Sequence, residues 1–308
     1  MTIRFDGQVA IVTGAGGGLG RCHALGLAAR GAKVVVNDLG EKGEPSEACL
    51  RVAREIEAAG GIAMANGADV ANADQVAAMV AAAEAQWGGV DILVNNAGIL
   101  RDKTFAKMEL ADFELVLKVH LLGSAICAKA VWAGMRERNY GRVLFTSSAS
   151  GVYGNFGQSN YGAAKAGMIG LMNVLHLEGV KNNIRVNTLL PTAATGMTAG
   201  LIPAEMAALM SPETVTPAVL FLVSEDAPSK VILGAGAGAF AVTHITETAG
   251  LFLGRAERTP ETIAARFAEI ADPATARPLD NAFAQTFKFV EAAAKALGVK
   301  LPQPGASS

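Results

Sequence analysis

The chain has 308 residues, is 51% hydrophobic and carries a net charge of -2, with a mean hydropathy of +0.32. That allows one large α/β domain with a sizeable core. It offers no electrostatic case for nucleic acid or an anionic membrane as partner. Arg4 and Asp6 precede the first apolar run, so no signal peptide is expected. No uninterrupted apolar run approaches the roughly 18–20 residues that span a bilayer, and the expected location is cytoplasmic. Cys22, Cys49 and Cys127 lack metal-ligand spacing; they read as small core residues of a reduced protein, and no metal is expected.

Taken in chain order, Val9–Thr13 (VAIVT) is a short β-rich run ending at glycines, and Leu19–Arg30 reads as a helix closed by Gly31. Lys33–Asp38 (KVVVND) is a second strand, Ser46–Ala59 a helix, and GIAMANGADV a third strand unit. Asp74–Trp87 is an alanine-rich helix and Val90–Gly98 (VDILVNNAG) a fourth strand. Leu110 to about Arg138 reads as one long helical region, Gly141–Ser148 as a fifth strand, Ser159–Val180 as a long helix and Ile184–Pro191 as a sixth strand. Strands apolar throughout, alternating with helices, imply a doubly wound parallel sheet covered on both faces, a single Rossmann domain over residues 1–300. Its ligand belongs beyond the carboxyl ends of the strands. Residues 192–216, with Met197, Leu201, Ile202, Met206, Leu209 and Met210, look like a lid of short helices or ordinary amphipathic packing. A last strand is expected near Phe240, a divergent extension over about 240–300, and a disordered tail over 301–308.

The turn TGAGGGLG (Thr13–Gly20) joins the first strand to the first helix. Glycines there let the backbone approach a pyrophosphate, and the helix N-terminus supplies N–H donors. Gly14, Gly18, Leu19 and Gly20 are therefore candidate cofactor contacts. Asp38 ends the second strand, where a carboxylate can accept both ribose hydroxyls and repel a 2′-phosphate. Leu39 and Gly17 add no basic group, so NAD is expected over NADP. The plainer reading of Asp38 is a turn cap.

In SNYGAAK, Tyr161 and Lys165 lie one helical turn apart on one face. An ammonium there favours the phenolate and lowers the tyrosine pKa, so the phenol can exchange a proton with an alcohol oxygen. Ser148, thirteen residues earlier, can hold that oxygen.

With these residues in place the chain resembles the short-chain dehydrogenase/reductases. TGAGGGLG, NNAG (Asn95–Gly98), SSASG with Ser148, YGAAK and RVNTLLP (Arg185–Pro191) carry the resemblance over roughly Val9 to Pro191. It implies a Ser148–Tyr161–Lys165 triad, with Lys165 also on the nicotinamide ribose. It implies Asp69 and Val70 beside the adenine, Asn96, Ala97 and Gly98 supporting the cofactor, and Pro191 near it. Members form homodimers or homotetramers through the long helices after the fourth and fifth strands. A narrower resemblance, in VVVNDLG, AGILRDKTF, VHLLGS and NYGRVLFTSSASGVYGNFGQSNYGAAK, is to the (3R)-hydroxyacyl-CoA dehydrogenase part of peroxisomal multifunctional enzyme type 2. It implies NAD-dependent oxidation of a secondary alcohol, with an acyl-CoA or steroid-like substrate.

His120 stands where most of the superfamily has asparagine. It either relays protons or packs the helix. His23, His176 and His244 are read as structural. The usual Pro-Gly after the sixth strand is Pro191–Thr192 here, and the usual Asp-Gly-Gly after the last strand is missing; both places shape the pocket. A 17β-type hydroxysteroid dehydrogenase, an NADPH-dependent 3-oxoacyl reductase and a non-catalytic dinucleotide-binding or scaffold protein are the competing readings.

Overall fold

The computed structural model describes residues 2–194 and 203–301. The expected lid residues Met197, Leu201 and Ile202 and the tail 302–308 lie outside them. The chain divides into two compact units, Met1–Thr243 and His244–Ser308, where one domain to residue 300 was expected.

The first unit is a sheet of β1 (Val9–Thr13), β2 (Lys33–Asn37), β3 (Ile62–Asn66), β4 (Ile92–Asn95), β5 (Gly141–Thr146), β6 (Ile184–Thr192), β7 (Ile232–Gly236) and β8 (Ala239–Thr243). Among the described residues the strand order is β3-β2-β1-β4-β5-β6-β7-β8. The first seven pair in parallel, and β8 adds antiparallel to β7. Every residue of β1, β4 and β5 is buried, because helices cover both faces. Alternate residues therefore feed two cores. Val12, Val94 and Leu144 belong to one, Ile11, Leu93 and Phe145 to the other. The strand order reverses between β1 and β4, which opens a crevice at their carboxyl ends.

The helices of this unit are α1 (Gly18–Ala28), α2 (Glu47–Ala58), α3 (Ala73–Trp87), α4 (Leu110–Leu117), α5 (Gly123–Arg138), α6 (Ala149–Tyr153), α7 (Ser159–Gly179), α8 (Ala204–Leu209) and α9 (Thr216–Leu222). Ser46 caps α2 through the Cys49 N–H, and Asn72 caps α3 through the N–H groups of Asp74 and Gln75. The long helical region expected from Leu110 is interrupted: Lys118–Leu122 forms a π-turn between α4 and α5. By length and composition Leu110–Arg138 is long and apolar enough to cross a membrane. Lys118, His120 and Lys129 hide this in the sequence by breaking the apolar run. One face of it buries Val116, His120, Cys127, Val131 and Met135 within the unit, the pattern of a core helix.

The last strand expected near Phe240 is β8 (Ala239–Thr243), and the strand that the sequence did not reveal is β7. Glycine and alanine in ILGAGAGAF conceal it, since neither signals a strand. A two-residue turn, Ala237 (φ +49°) and Gly238 (φ +77°), reverses the chain into β8. Of the expected lid, the described part is α8 followed by a 3₁₀ turn at Pro212–Thr214. All three cysteines are buried and unbridged, as expected of core residues.

In the second unit, β9 (Thr246–Glu247) pairs antiparallel with β10 (Arg277–Pro278), beside α10 (Pro260–Ala265), α11 (Phe267–Ile270) and α12 (Ala282–Leu297). Glu247 accepts from Lys288 and Gln285 of α12, which ties that helix to β9.

Candidate active site

The turn between β1 and α1 lies at the crevice. Gly14 has φ +64°, and a Cβ there would meet the Ala97 Cα at 2.8 Å; a Cβ on Gly20 would meet the Gly14 carbonyl oxygen at 2.2 Å. Only glycine fits either place. α1 begins at Gly18, Leu19 and Gly20 with no side-chain cap and no acidic residue in its first turn. Its first N–H groups and partial positive charge are thus left for an anion. This donor set fits the pyrophosphate of a dinucleotide.

Asp38 follows β2, and its Oδ2 accepts the Gly16 N–H at 2.6 Å. Within the chain this carboxylate acts as the turn cap. Arg51 Nη2 donates to the Gly16 carbonyl at 3.3 Å, placing a cation on the same turn. Sequence reading missed it, because the cation arrives from α2 and not from the residue after Asp38. Asp69 accepts the Ala71 N–H on its Oδ1 at 2.9 Å, and its own N–H donates to Gln75 Oε1 at 2.8 Å. Val70 packs over Gly123. Pro191 lies in β6 opposite Ala235 of β7.

The segment after β4 is tied to the glycine turn. Asn96 Nδ2 donates to the carbonyls of Thr13 (3.0 Å) and Gly14 (3.2 Å). The backbone N–H groups of Asn96 and Ala97 both donate to Thr13 Oγ1 at 3.0 Å. Thr13 is thereby a pivot of the site. Its only sequence signal was a hydroxyl ending the first strand.

Ser148 caps α6, its Oγ accepting the Ser150 N–H at 3.2 Å. Tyr161 and Lys165 lie one turn apart on α7, whose start is held by the loop after β4. Gln158 Nε2 donates to Asp102 at 2.7 Å, Asn160 Nδ2 to the Arg101 carbonyl at 3.0 Å, and the Lys103 N–H to the Gly157 carbonyl at 3.0 Å. The Ser148 hydroxyl lies close enough to the Tyr161 phenol to pull its pKa down, so the structure brings these two together. Lys165 Nζ lies 5.3 Å from the centre of the Tyr161 ring. It is buried, and it donates to the Thr146 carbonyl at 2.5 Å, while Ser147 Oγ donates to the Lys165 carbonyl at 2.7 Å.

One expectation needs correction. Burial raises the Tyr161 pKa above its ordinary value, against the neighbouring Ser148 hydroxyl, which pulls it down. Burial likewise lowers Lys165 to about 7. The ammonium is turned to a carbonyl and is itself desolvated, so within the chain it does not depress the phenol. Desolvation outweighs the helical proximity that the spacing suggested.

His120 sits in the π-turn, a distortion common at functional sites. Its Nε2 lies 3.0 Å from the Ile99 N and 2.8 Å from the Ile99 carbonyl oxygen. Its ring stands edge-on to that of Tyr161, with centres 5.2 Å apart. Burial, with a smaller push from the Lys165 charge, lowers its pKa to about 3, so it is neutral at neutral pH. His23 is buried against Thr216 and His176 bonds Ser229; both are structural, as expected.

A family model described as short chain dehydrogenase matches residues 8–205, and the chain belongs to that family. It is an oxidoreductase acting on CH–OH groups with a nicotinamide dinucleotide. Among its relatives, peroxisomal multifunctional enzyme A of Dictyostelium discoideum is 44% identical over 275 residues, 88% of this chain and 61% of that protein. The chain thus spans about three fifths of that relative. The solved full-length peroxisomal multifunctional enzyme type 2 from Drosophila melanogaster superposes with TM-score 0.81 at 36% identity, covering 96% of this chain and 51% of that one. A 7α-hydroxysteroid dehydrogenase solved with NADH and 7-oxo glycochenodeoxycholic acid superposes with TM-score 0.70 at 30% identity, covering 77% of this chain and 95% of that one.

Proposed function

We propose that the chain oxidises a (3R)-hydroxyacyl-CoA to the 3-oxoacyl-CoA with NAD. The observation that carries the chemistry is the Ser148 hydroxyl beside the half-buried Tyr161 phenol, with Lys165 beneath the ring. Ser148 orients the substrate hydroxyl, and Tyr161 Oη, whose ionisation the positive charge of a bound oxidised nicotinamide would favour, takes its proton as the carbinol carbon gives up hydride. Lys165 supplies a cation beside the phenol and the nicotinamide ribose. The bound dinucleotide supplies the hydride acceptor; Gly14, Gly18, Leu19 and Gly20 would hold its pyrophosphate and Asp38 its adenine ribose. The substrate class is supported by the likeness to the multifunctional enzymes. A hydroxysteroid is the second reading, favoured by the likeness to a solved hydroxysteroid dehydrogenase. We place the reaction in the cytoplasm, in a homodimer or homotetramer.

The test offers (3R)- and (3S)-hydroxyacyl-CoA and a 17β-hydroxysteroid separately with NAD and follows NADH. One fixed Tyr161 leaves one orientation for the carbinol hydrogen, so strong preference for the (3R) isomer is expected. Equal rates with both isomers would sink the stereochemical assignment. Turnover of the steroid alone would move the assignment to the second reading.

A further inference from the structure

We infer that His120 is a positioning residue paired with Gly98, joining the cofactor-side loop after β4 to the ring of Tyr161. This rests on the proposed role of Tyr161. The π-turn seats the imidazole inside the unit, where it is 2% exposed. One ring nitrogen, Nε2, is taken up by the Ile99 backbone: it accepts from the N–H in one tautomer and donates to the carbonyl in the other. The opposite edge of the site is Tyr161, whose ring meets the imidazole at an interplanar angle of 89°, a favourable aromatic arrangement. A Cβ on Gly98 would lie 2.1 Å from His120 Cε1 and 2.9 Å from Nδ1. Nδ1 is buried and has no hydrogen-bond partner among the described residues. The imidazole therefore fills the space that the missing Gly98 side chain leaves, and it does so against a backbone atom pair and a reacting side chain at once. Gly98 has no left-handed backbone, so close approach of the ring, not φ, is what demands glycine there.

A relay needs a proton path through both ring nitrogens; a positioning strut needs only shape and the Ile99 bond. The two roles separate in a double-variant cycle. Gly98→Ala, His120→Asn and Gly98→Ala/His120→Asn are compared by urea unfolding, by NADH affinity and by kcat with whichever secondary alcohol the wild type turns over. Gly98→Ala should lower the unfolding midpoint and kcat at least tenfold, and the double variant should regain a good part of both, because asparagine vacates the ring's volume. A double variant no better than Gly98→Ala would overturn the pairing. If Gly98→Ala does not fold, His120→Ala decides. It should lower kcat about ten- to a hundredfold with NADH affinity and the midpoint pH of kcat unchanged. Recovery of its rate by added imidazole, or a displaced pH midpoint, would make His120 a relay and refute the inference. Failure of the wild type to oxidise any acyl-CoA would count against the substrate reading alone, since the unfolding cycle needs no substrate.

Discussion

The Lys165 ammonium lies 2.5 Å from the Thr146 carbonyl, inside the core and away from bulk water. Burial holds its pKa near 7 against an ordinary 10.5. Between those values the unfolded chain binds a proton that the folded chain does not. Stability from this group is therefore complete above pH 10.5 and is lost as pH falls toward 7, at up to roughly 1.4 kcal/mol per unit. Tyr161 is shifted upward from 10.0, away from the range of pH 7 to 9 that the test uses. Lys165→Met removes the effect. Wild-type stability relative to this variant should rise from pH 7 to pH 9 in urea unfolding. A difference that stays flat across that range would show that the lysine is not desolvated as described.

Tyr161→Phe keeps the ring that meets His120 and loses the hydroxyl beside Ser148. NADH affinity should stay within about twofold, while kcat falls by about 10²–10⁴, the usual range for a general acid/base. Retention of a tenth of the wild-type rate would remove Tyr161 from that role.

Assembly has its own test. Leu122 on the π-turn and Val174 and Leu177 on α7 are exposed apolar residues on the helices expected to meet a second copy. Leu122→Glu with Val174→Glu should shift sedimentation toward monomer and leave the circular dichroism spectrum unchanged. Unchanged sedimentation would place the interface elsewhere.

The sheet was legible because β1, β2, β4 and β5 are buried on both faces and so read as unbroken apolar runs. β7 was not: its alanines and glycines pack closely but carry no strand signal. The same division runs through the site. Ser148, Tyr161, Lys165 and the glycine turn follow from local spacing. Thr13, Gln158, Asn160 and Arg51 act across distant segments, which only the folded chain brings together. The acid/base energetics were misread for a related reason. Spacing on α7 reveals that an ammonium lies near a phenol. It does not reveal that the lysine is buried and the phenol half-buried, and desolvation then reverses the shift expected for the phenol.

The cofactor corner carries the last prediction. Asp38 is held to the Gly16 N–H at 2.6 Å, and Arg51 reaches the Gly16 carbonyl at 3.3 Å. A carboxylate and a guanidinium thus flank one residue, Gly16. The carboxylate would repel a 2′-phosphate, so NAD should be preferred by at least about tenfold in kcat/KM, roughly 1.4 kcal/mol. Asp38→Ala removes the repulsion and leaves Arg51 to pair with the phosphate. It should therefore weaken NAD and strengthen NADP together, bringing the ratio to near one. Asp38→Ala/Arg51→Ala should lose the gain for NADP but not the loss for NAD. Steady-state kinetics with both cofactors on the three proteins checks this. A wild type that prefers NADP would refute the role of Asp38. A double variant that keeps the NADP gain would show that Arg51 takes no part.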